Sequence, residues 1–523
     1  MKNKLYLLLL AGLALTTSCN KFLEEEPKSG IIIGQYYKTE AQALDNVNYL
    51  YRNGATQQYS VAGSAYVGPT ASVNTMLTGY FTNSYEGQER VCLFSRELTR
   101  QNNTSLVSNT MNSIWDGCYR VVNVANGAIK YIPDIKDANF SESSRNKLVG
   151  EAKFFRAFNY FYLVKTFGAV PLYTEPNEKL SDNLYLERTA PAEVYALIES
   201  DLKSAIELLP AAKFAANGHR ITKAVAAMAL ANVYLQQGKY AEAAATSKIV
   251  LSSGHSLTAN SDLTMNSAYN KLRSTDDLDE VIYAQEYNAL VQDGSWWPTY
   301  AFNSSAVSLF GTYSIFERVY GPTKQFLNVY DSKDLRIKPN QFFHWKYTNP
   351  NNGKVWESTD AGIWYFVDET ALLTTGKSTK DWNIYRYPEA LLIAAEGIAK
   401  SSGVNSEAAG YLAQIKARAN TENKSVAQFT NELQGLSADD FVKECWKERL
   451  RELPLEFKMW DDIVRTKMFP VISTTEAGKV DFVPLIGAKN ASGAVFKESD
   501  LLWPISVEEL QRNKKLTQNP GYQ

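Results

Sequence analysis

A mainly α fold, built on three to four stacked helix pairs and interrupted by long irregular insertions rich in aromatic residues, follows from three features of the sequence. Small residues and tyrosine recur at helical spacing, glycine turns separate the recurring units, and two long stretches lack that periodicity. Helix pairs that cannot bury their apolar faces alone are expected to stack on their neighbours. At 523 residues the chain also exceeds the usual size of one compact core, so a stack is the expected solution.

The amino terminus is read apart from this fold. Lys2 and Lys4 precede an apolar run over 5–15 and then Thr16-Thr17-Ser18-Cys19. The run is shorter than the roughly 20 apolar residues a membrane-spanning helix needs, and it has the charge and small-residue end of a secretory signal. A cysteine at the cleavage position resembles a bacterial lipobox. The expectation is a signal peptide over 1–18, acylation of Cys19, and a single mature domain over 19–523; an ordinary signal with a spectator cysteine is the alternative. Two or more acyl chains anchor a protein stably without spanning the bilayer.

Between about 53 and 112 the chain is rich in Gly, Asn, Ser, Thr and aromatics and is read as a first insertion. Helical periodicity begins at about 148–167, where Arg156-Ala157-x-x-Tyr160 sets a small-to-tyrosine spacing. Pro191 introduces a partner helix over about 192–209, with Val194, Ile198, Leu202 and Ala205 on one stripe. Over 221–253, Ala227-x-x-Leu230-Ala231-x-x-Tyr234 and Gly238-Lys239-Tyr240-x-x-Ala243 approximate the tetratricopeptide (TPR) pattern, with Asn217-Gly218 as the preceding break. Residues 254–383 form the second insertion, holding six of the ten tryptophans: Trp296, Trp297, Trp345, Trp356, Trp364 and Trp382. Pro388 then opens a late helix. Another carries Tyr411, Leu412, Ile415 and Ala419, and a third covers about 439–452. The repeats are thus placed at about 147–253 and 384–466.

The formal charge of −2 gives no electrostatic case for nucleic acid as a partner. Beyond Cys19, the cysteines Cys92, Cys118 and Cys445 are too widely separated for a zinc or disulfide framework. His219, His255 and His344 are isolated, with no H-E-x-x-H pair, no G-x-S-x-G elbow and no phosphate-binding glycine loop. No metal, cofactor or catalytic residue is therefore assigned. Glu448, Arg449, Arg451 and Glu452 could form a catalytic or anion site, but charges at three- and four-residue spacing are better read as helix-to-helix ion pairs; Glu151 and Arg156 are read the same way.

Six blocks in order carry a family resemblance: Phe22-Leu23-Glu24-Glu25-Glu26-Pro27; Trp115-Asp116-Gly117-Cys118-Tyr119 with Asn123 and Asn126; Gly150-Glu151-Ala152 through Arg156-Ala157 and Tyr160; Tyr385-Arg386-Tyr387-Pro388-Glu389-Ala390; Glu448-Arg449-Leu450-Arg451-Glu452-Leu453; and Leu502-Trp503-Pro504-Ile505 with Asn519-Pro520-Gly521-Tyr522. The chain resembles the SusD/RagB family of outer-membrane glycan-binding lipoproteins. Pro454 departs from the family pattern and is expected to shorten or kink the local helix. The resemblance implies a non-enzymatic, lipid-anchored protein facing the cell exterior, a glycan ligand, and a SusC-like TonB-dependent transporter as partner. A TPR-type envelope adaptor for a protein or peptide, and a glycoside hydrolase, are the rival readings.

Sugar rings have apolar C–H faces edged by hydroxyls, which flat aromatics and nearby amides can cover. Trp296 and Trp297, between an Asp-Gly turn and Pro298, and Tyr300 just beyond it have that composition, as do Tyr80, Phe81, Asn83 and Tyr85 in the first insertion. These seven residues are the expected ligand-binding set, with at least one ring of the Trp296-Trp297 pair exposed. Trp115, Trp446, Trp460 and Trp503 lie in the shared blocks and are assigned to the fold.

Overall fold

The computed structural model describes residues 36–55, 70–88, 90–102, 104–178, 184–288, 294–310 and 319–522. The stretch read as a signal, Cys19 and Glu24–Glu26 lie outside the described residues.

Twelve helices matter for the account. They are α1 Glu40–Asn53, α2 Thr104–Tyr131, α3 Glu142–Phe167, α4 Pro191–Leu208, α5 Lys223–Gln236, α6 Tyr240–Leu251, α7 Tyr387–Ser402, α8 Ser406–Ala419, α9 Val426–Gln434, α10 Ala438–Glu452, α11 Met459–Thr466 and α12 Val507–Arg512. Their starts are chemically marked. Ser141, Thr222, Asn405 and Ser437 each accept a backbone N–H with the side-chain oxygen, and Ser425 with Gln428 forms a capping box. The pairs α3/α4, α5/α6 and α7/α8 stack in chain order, with α2 packed on α3 and α10 on α7. The structure is mainly α.

The repeat pattern has a steric basis. Ala227 and Ala231 of α5 are fully buried, and α5 is apolar on every side because it is covered on every side. The turn from α5 to α6 runs through Gly238 at φ +71°, a left-handed conformation that glycine adopts without penalty. Where α6 meets α7, a Cβ on Gly397 would stand 2.7 Å from the Tyr240 carbonyl oxygen, so that close approach requires glycine.

Four two-stranded antiparallel ladders fill the regions between helices: β1 Phe81–Thr82 with β3 Gly321–Pro322, β2 Val281–Gln285 with β6 Trp382–Arg386, β4 His344–Thr348 with β5 Val355–Gly362, and β7 Met468–Ile472 with β8 Val480–Pro484. Three of them draw on the second insertion. They carry its aromatics inward, so the insertion is not a surface layer separate from the scaffold. One core runs through both, and a smaller cluster around α7–α10 contains Leu391, Leu412, Ile415 and Phe441. Helix α2 also begins inside the stretch read as the first insertion.

No helix among the described residues is long and apolar enough to cross a membrane.

Candidate functional site

The expected ligand-binding residues divide sharply by exposure. Gly294 takes φ +70°, and Ser295 then pairs with Ser378 through two backbone hydrogen bonds of 2.7 and 2.8 Å. Residues 297–300 fold into a 3₁₀ turn. The result turns Trp297 inward and leaves Trp296 half-buried, with the Lys377 ammonium 5.2 Å from its ring centre. Trp297 is 4 % exposed and stacks on Trp382 at 4.0 Å, with Phe366 at 4.6 Å; Tyr300 is fully buried beside it. Neither Trp297 nor Tyr300 can present a ring face to a ligand in solution, which corrects the expectation for both.

The first-insertion group is corrected in the same way. Tyr80 is buried: its hydroxyl donates to the Pro470 carbonyl at 2.7 Å and accepts from Ile472 N–H at 3.0 Å. Phe81 stacks on Tyr320 at 4.1 Å. Asn83 is a turn former, its Oδ1 accepting from Tyr85 N–H at 2.8 Å. Tyr85 itself is half-buried. The two candidate segments do come together, but internally: Phe457 contacts both Trp297 (6.0 Å) and Tyr320 (4.8 Å), and Tyr320 contacts Phe81. Edge-to-face and offset contacts of this kind make a packed aromatic core. The cavity that Trp297 and Trp382 help to line measures only about 30 Å³, room for water and not for a sugar ring.

Beside β2 lies a group of carboxyls. His219 bonds Asp277 at 2.9 Å and approaches Glu286 at 3.4 Å. Burial, followed by Asp381, Asp277 and Asp276, pushes Glu286 up to about 8, and burial followed by Asp276 pushes Asp381 up to about 6. Lys380 pairs with Asp276 on the same side. Among the described residues no group of three or more His, Cys, Asp or Glu side chains is arranged to hold a metal ion. These raised carboxyls hold protons in the native chain that they release when unfolded. Their contribution to stability is thus present at acid pH and lost as pH rises through about 5–8. Glu286→Gln is expected to flatten the fall in melting temperature over that window; an unchanged slope would contradict the assignment.

A second recess was not foreseen. It is a cleft of about 620 Å³ between α2, the run from Pro171 to Asn177, Leu184–Tyr185 and the tail from Glu509 to Leu516. Tyr119 forms part of its lining, with its hydroxyl donating to the Pro171 carbonyl at 2.7 Å and its ring edge-on to Tyr173 at 5.6 Å. Tyr119 falls within a block assigned to the fold, so the available signal was its recurrence one turn after Trp115 on α2.

Residues 22–235 match a family model described as starch-binding associating with outer membrane, and residues 265–522 match that of the SusD family. The chain belongs to the SusD family. It is 26 % identical to SusD-like protein P2 of Formosa agariphila, across 96 % of each chain. A SusD superfamily structure from Parabacteroides distasonis is 26 % identical and superposes with TM-score 0.78, covering 92 % of this chain and 99 % of the other. Surface glycan-binding protein A from Bacteroides thetaiotaomicron, solved in complex with laminarihexaose, shares the fold at TM-score 0.67 and 17 % identity, over 92 % and 99 % of the two chains.

In this SusD-family chain the charged shared blocks are structural. Glu452 lies between Arg336 (2.9 Å), Arg386 (2.9 Å) and Arg418 (2.5 Å), and Glu448 meets Arg336 at 2.7 Å. Arg449 holds Asp462 at 2.7 Å, and Arg451 donates to the Val329 carbonyl. Arg156 is bidentate to Asp201 of α4, and Glu151 pairs with Arg220. Buried guanidinium–carboxylate sets of this kind tie helices and insertion together. The helix ends at Glu452 and a 3₁₀ turn begins at Pro454, whose carbonyl accepts from Tyr320 hydroxyl at 3.0 Å.

Proposed function

We propose that this SusD-family protein is a cell-surface glycan-binding lipoprotein that captures oligo- or polysaccharide for import through a SusC-like TonB-dependent transporter. The observation that carries the reading is the pair of family models covering 22–235 and 265–522, one of them described as starch-binding and associating with the outer membrane. The neighbour solved with laminarihexaose supports a glycan as the ligand class. Trp296 is the aromatic of the expected set best suited to stack on a sugar, because it stands on a pinned turn with a cation over its ring; Tyr85 is the second. Trp297, Tyr300, Tyr80 and Phe81 serve as the rigid backing.

Retardation in native gels containing laminarin or starch, relative to gels without polysaccharide, tests the capture role. Retardation with no release of reducing ends is the expected result; migration unaffected by both glucans would overturn the reading as a glucan binder. The anchor is tested separately. Cys19→Ala is expected to release the protein from membranes or to block its maturation, and undiminished membrane retention without lipid label would refute acylation at that residue.

A further inference from the structure

We infer that the cleft between α2 and the C-terminal tail is a second glycan site, taking a neutral oligosaccharide. This rests on the glycan-binding reading above but places the sugar where that reading does not. The cleft shares no lining residue with the pocket around Trp297 and Trp382.

Three observations define the ligand. The first is size: about 620 Å³ falls within the roughly 300–1,000 Å³ of small-molecule sites. The second is the aromatic lining and the way it is held. The Tyr173 hydroxyl donates to the Leu184 carbonyl at 2.7 Å and accepts from Leu186 N–H at 3.4 Å, fixing the backbone on both sides of Tyr185. Tyr185 is left 46 % exposed at the cleft, an unusual position for a large ring. Tyr119 and Tyr173 meet edge to face, and the Tyr119 hydroxyl is anchored on Pro171. Rings fixed in this way lose little freedom when a sugar face is laid against them.

The third observation is electrostatic balance. Two carboxyls, Asp116 and Glu509, line the cleft with two guanidiniums, Arg120 and Arg512. Arg512 pairs with Glu509 and stands 3.5 Å from Asp116, while Arg120 is exposed. A site with matched charges selects neither anionic nor cationic ligands by field. Asn123 and Asn177 add amide groups to the lining. A wholly apolar ligand would strip water from these polar groups without replacing their hydrogen bonds, at a cost. Hydroxyls, which both donate and accept, are the matching chemistry.

Calorimetric titration of the full chain with laminarihexaose and with maltohexaose tests this, using Tyr185→Ala, Arg120→Ala and Trp296→Ala beside the native protein. Both cleft side chains are exposed, so neither substitution should shift the melting temperature. Loss of an aromatic anchor costs an interface on the order of tenfold or more in affinity. The expected result is that Tyr185→Ala weakens at least one binding phase about tenfold or more, Arg120→Ala weakens the same phase, and Trp296→Ala leaves that phase intact. Binding by the native protein that survives both cleft substitutions overturns the second site while leaving the glycan reading in place. No binding of either hexasaccharide by the native protein overturns both.

Discussion

Glu452→Ala is expected to destabilise the protein by about 3–5 kcal/mol, the usual cost of breaking a buried ion pair from one side. The carboxylate meets Arg336, Arg386 and Arg418, and accepts from the Tyr269 hydroxyl at 3.2 Å. Glu452 is fully buried, so its removal takes one carboxylate from three buried guanidiniums that then share only Asp334, Glu448, Glu280 and Glu456. The positions of these partners make the effect global. Arg336 belongs to the second insertion, Arg386 to the end of β6 where α7 begins, Arg418 to α8, and Glu452 to the end of α10, so one side chain joins the insertion to the scaffold helices. Urea denaturation of the purified variant reads the loss directly. A change under about 1 kcal/mol would show that the network is already solvated.

The same network sets the acid response. Burial alone would raise Glu452, but Arg418, Arg386 and Arg336 outweigh it and hold the carboxyl below its ordinary range; Glu280 and Glu448 are lowered by comparable partners. Carboxyls lowered in the native state contribute stability above their unfolded pKa, and that contribution is lost as pH falls through the lowered values. This trend is opposite in sign to that of Glu286 and Asp381 and lies at lower pH.

Trp297→Ala is expected to cost about 3–5 kcal/mol of stability, whereas truncation of the half-buried Trp296 should cost about 1 kcal/mol. Truncating Trp297 opens a void against Trp382 and Phe366, two rings already held at 4.0 and 4.6 Å, and removes the contact to Phe457 at the edge of the other aromatic group. Trp296 is half-buried at the rim of the same core, with Lys377 over its ring, so its truncation removes less packing. Glycan affinity should follow the reverse order, with Trp296→Ala weakening binding while the fold stays intact. Melting temperature and affinity measured on both variants separate the roles; equal stability losses would show that both rings are core.

This contrast also shows where sequence reading stopped. The helices were legible because their information is local: the small-to-tyrosine spacing of α3 and α5, the Pro191 start of α4, and the Gly238 turn all act within a few residues. The inward direction of the insertion aromatics is not local. It depends on Ser295 pairing with Ser378, on Phe81 reaching Tyr320, and on Tyr80 bonding to the backbone at Pro470 and Ile472. Composition marked these segments as aromatic but could not say which of two adjacent tryptophans faces out. The cleft escaped notice for a related reason. Tyr119 has helical spacing that reads as core, and Tyr185 becomes conspicuous only once Tyr173 is seen to pin the chain beside it. The ion pairs of Glu448, Arg449 and Glu452 were legible as helix chemistry, although Arg336 and Arg386 could not be named as partners from spacing alone.

Capture without cleavage is read by equilibrium dialysis of laminarin oligosaccharides against the full chain, followed by chromatography of both chambers. A glycan-capturing protein gives saturable accumulation on the protein side with every oligosaccharide at its starting length. Equal concentrations in the two chambers, or the appearance of shorter chains, would contradict it.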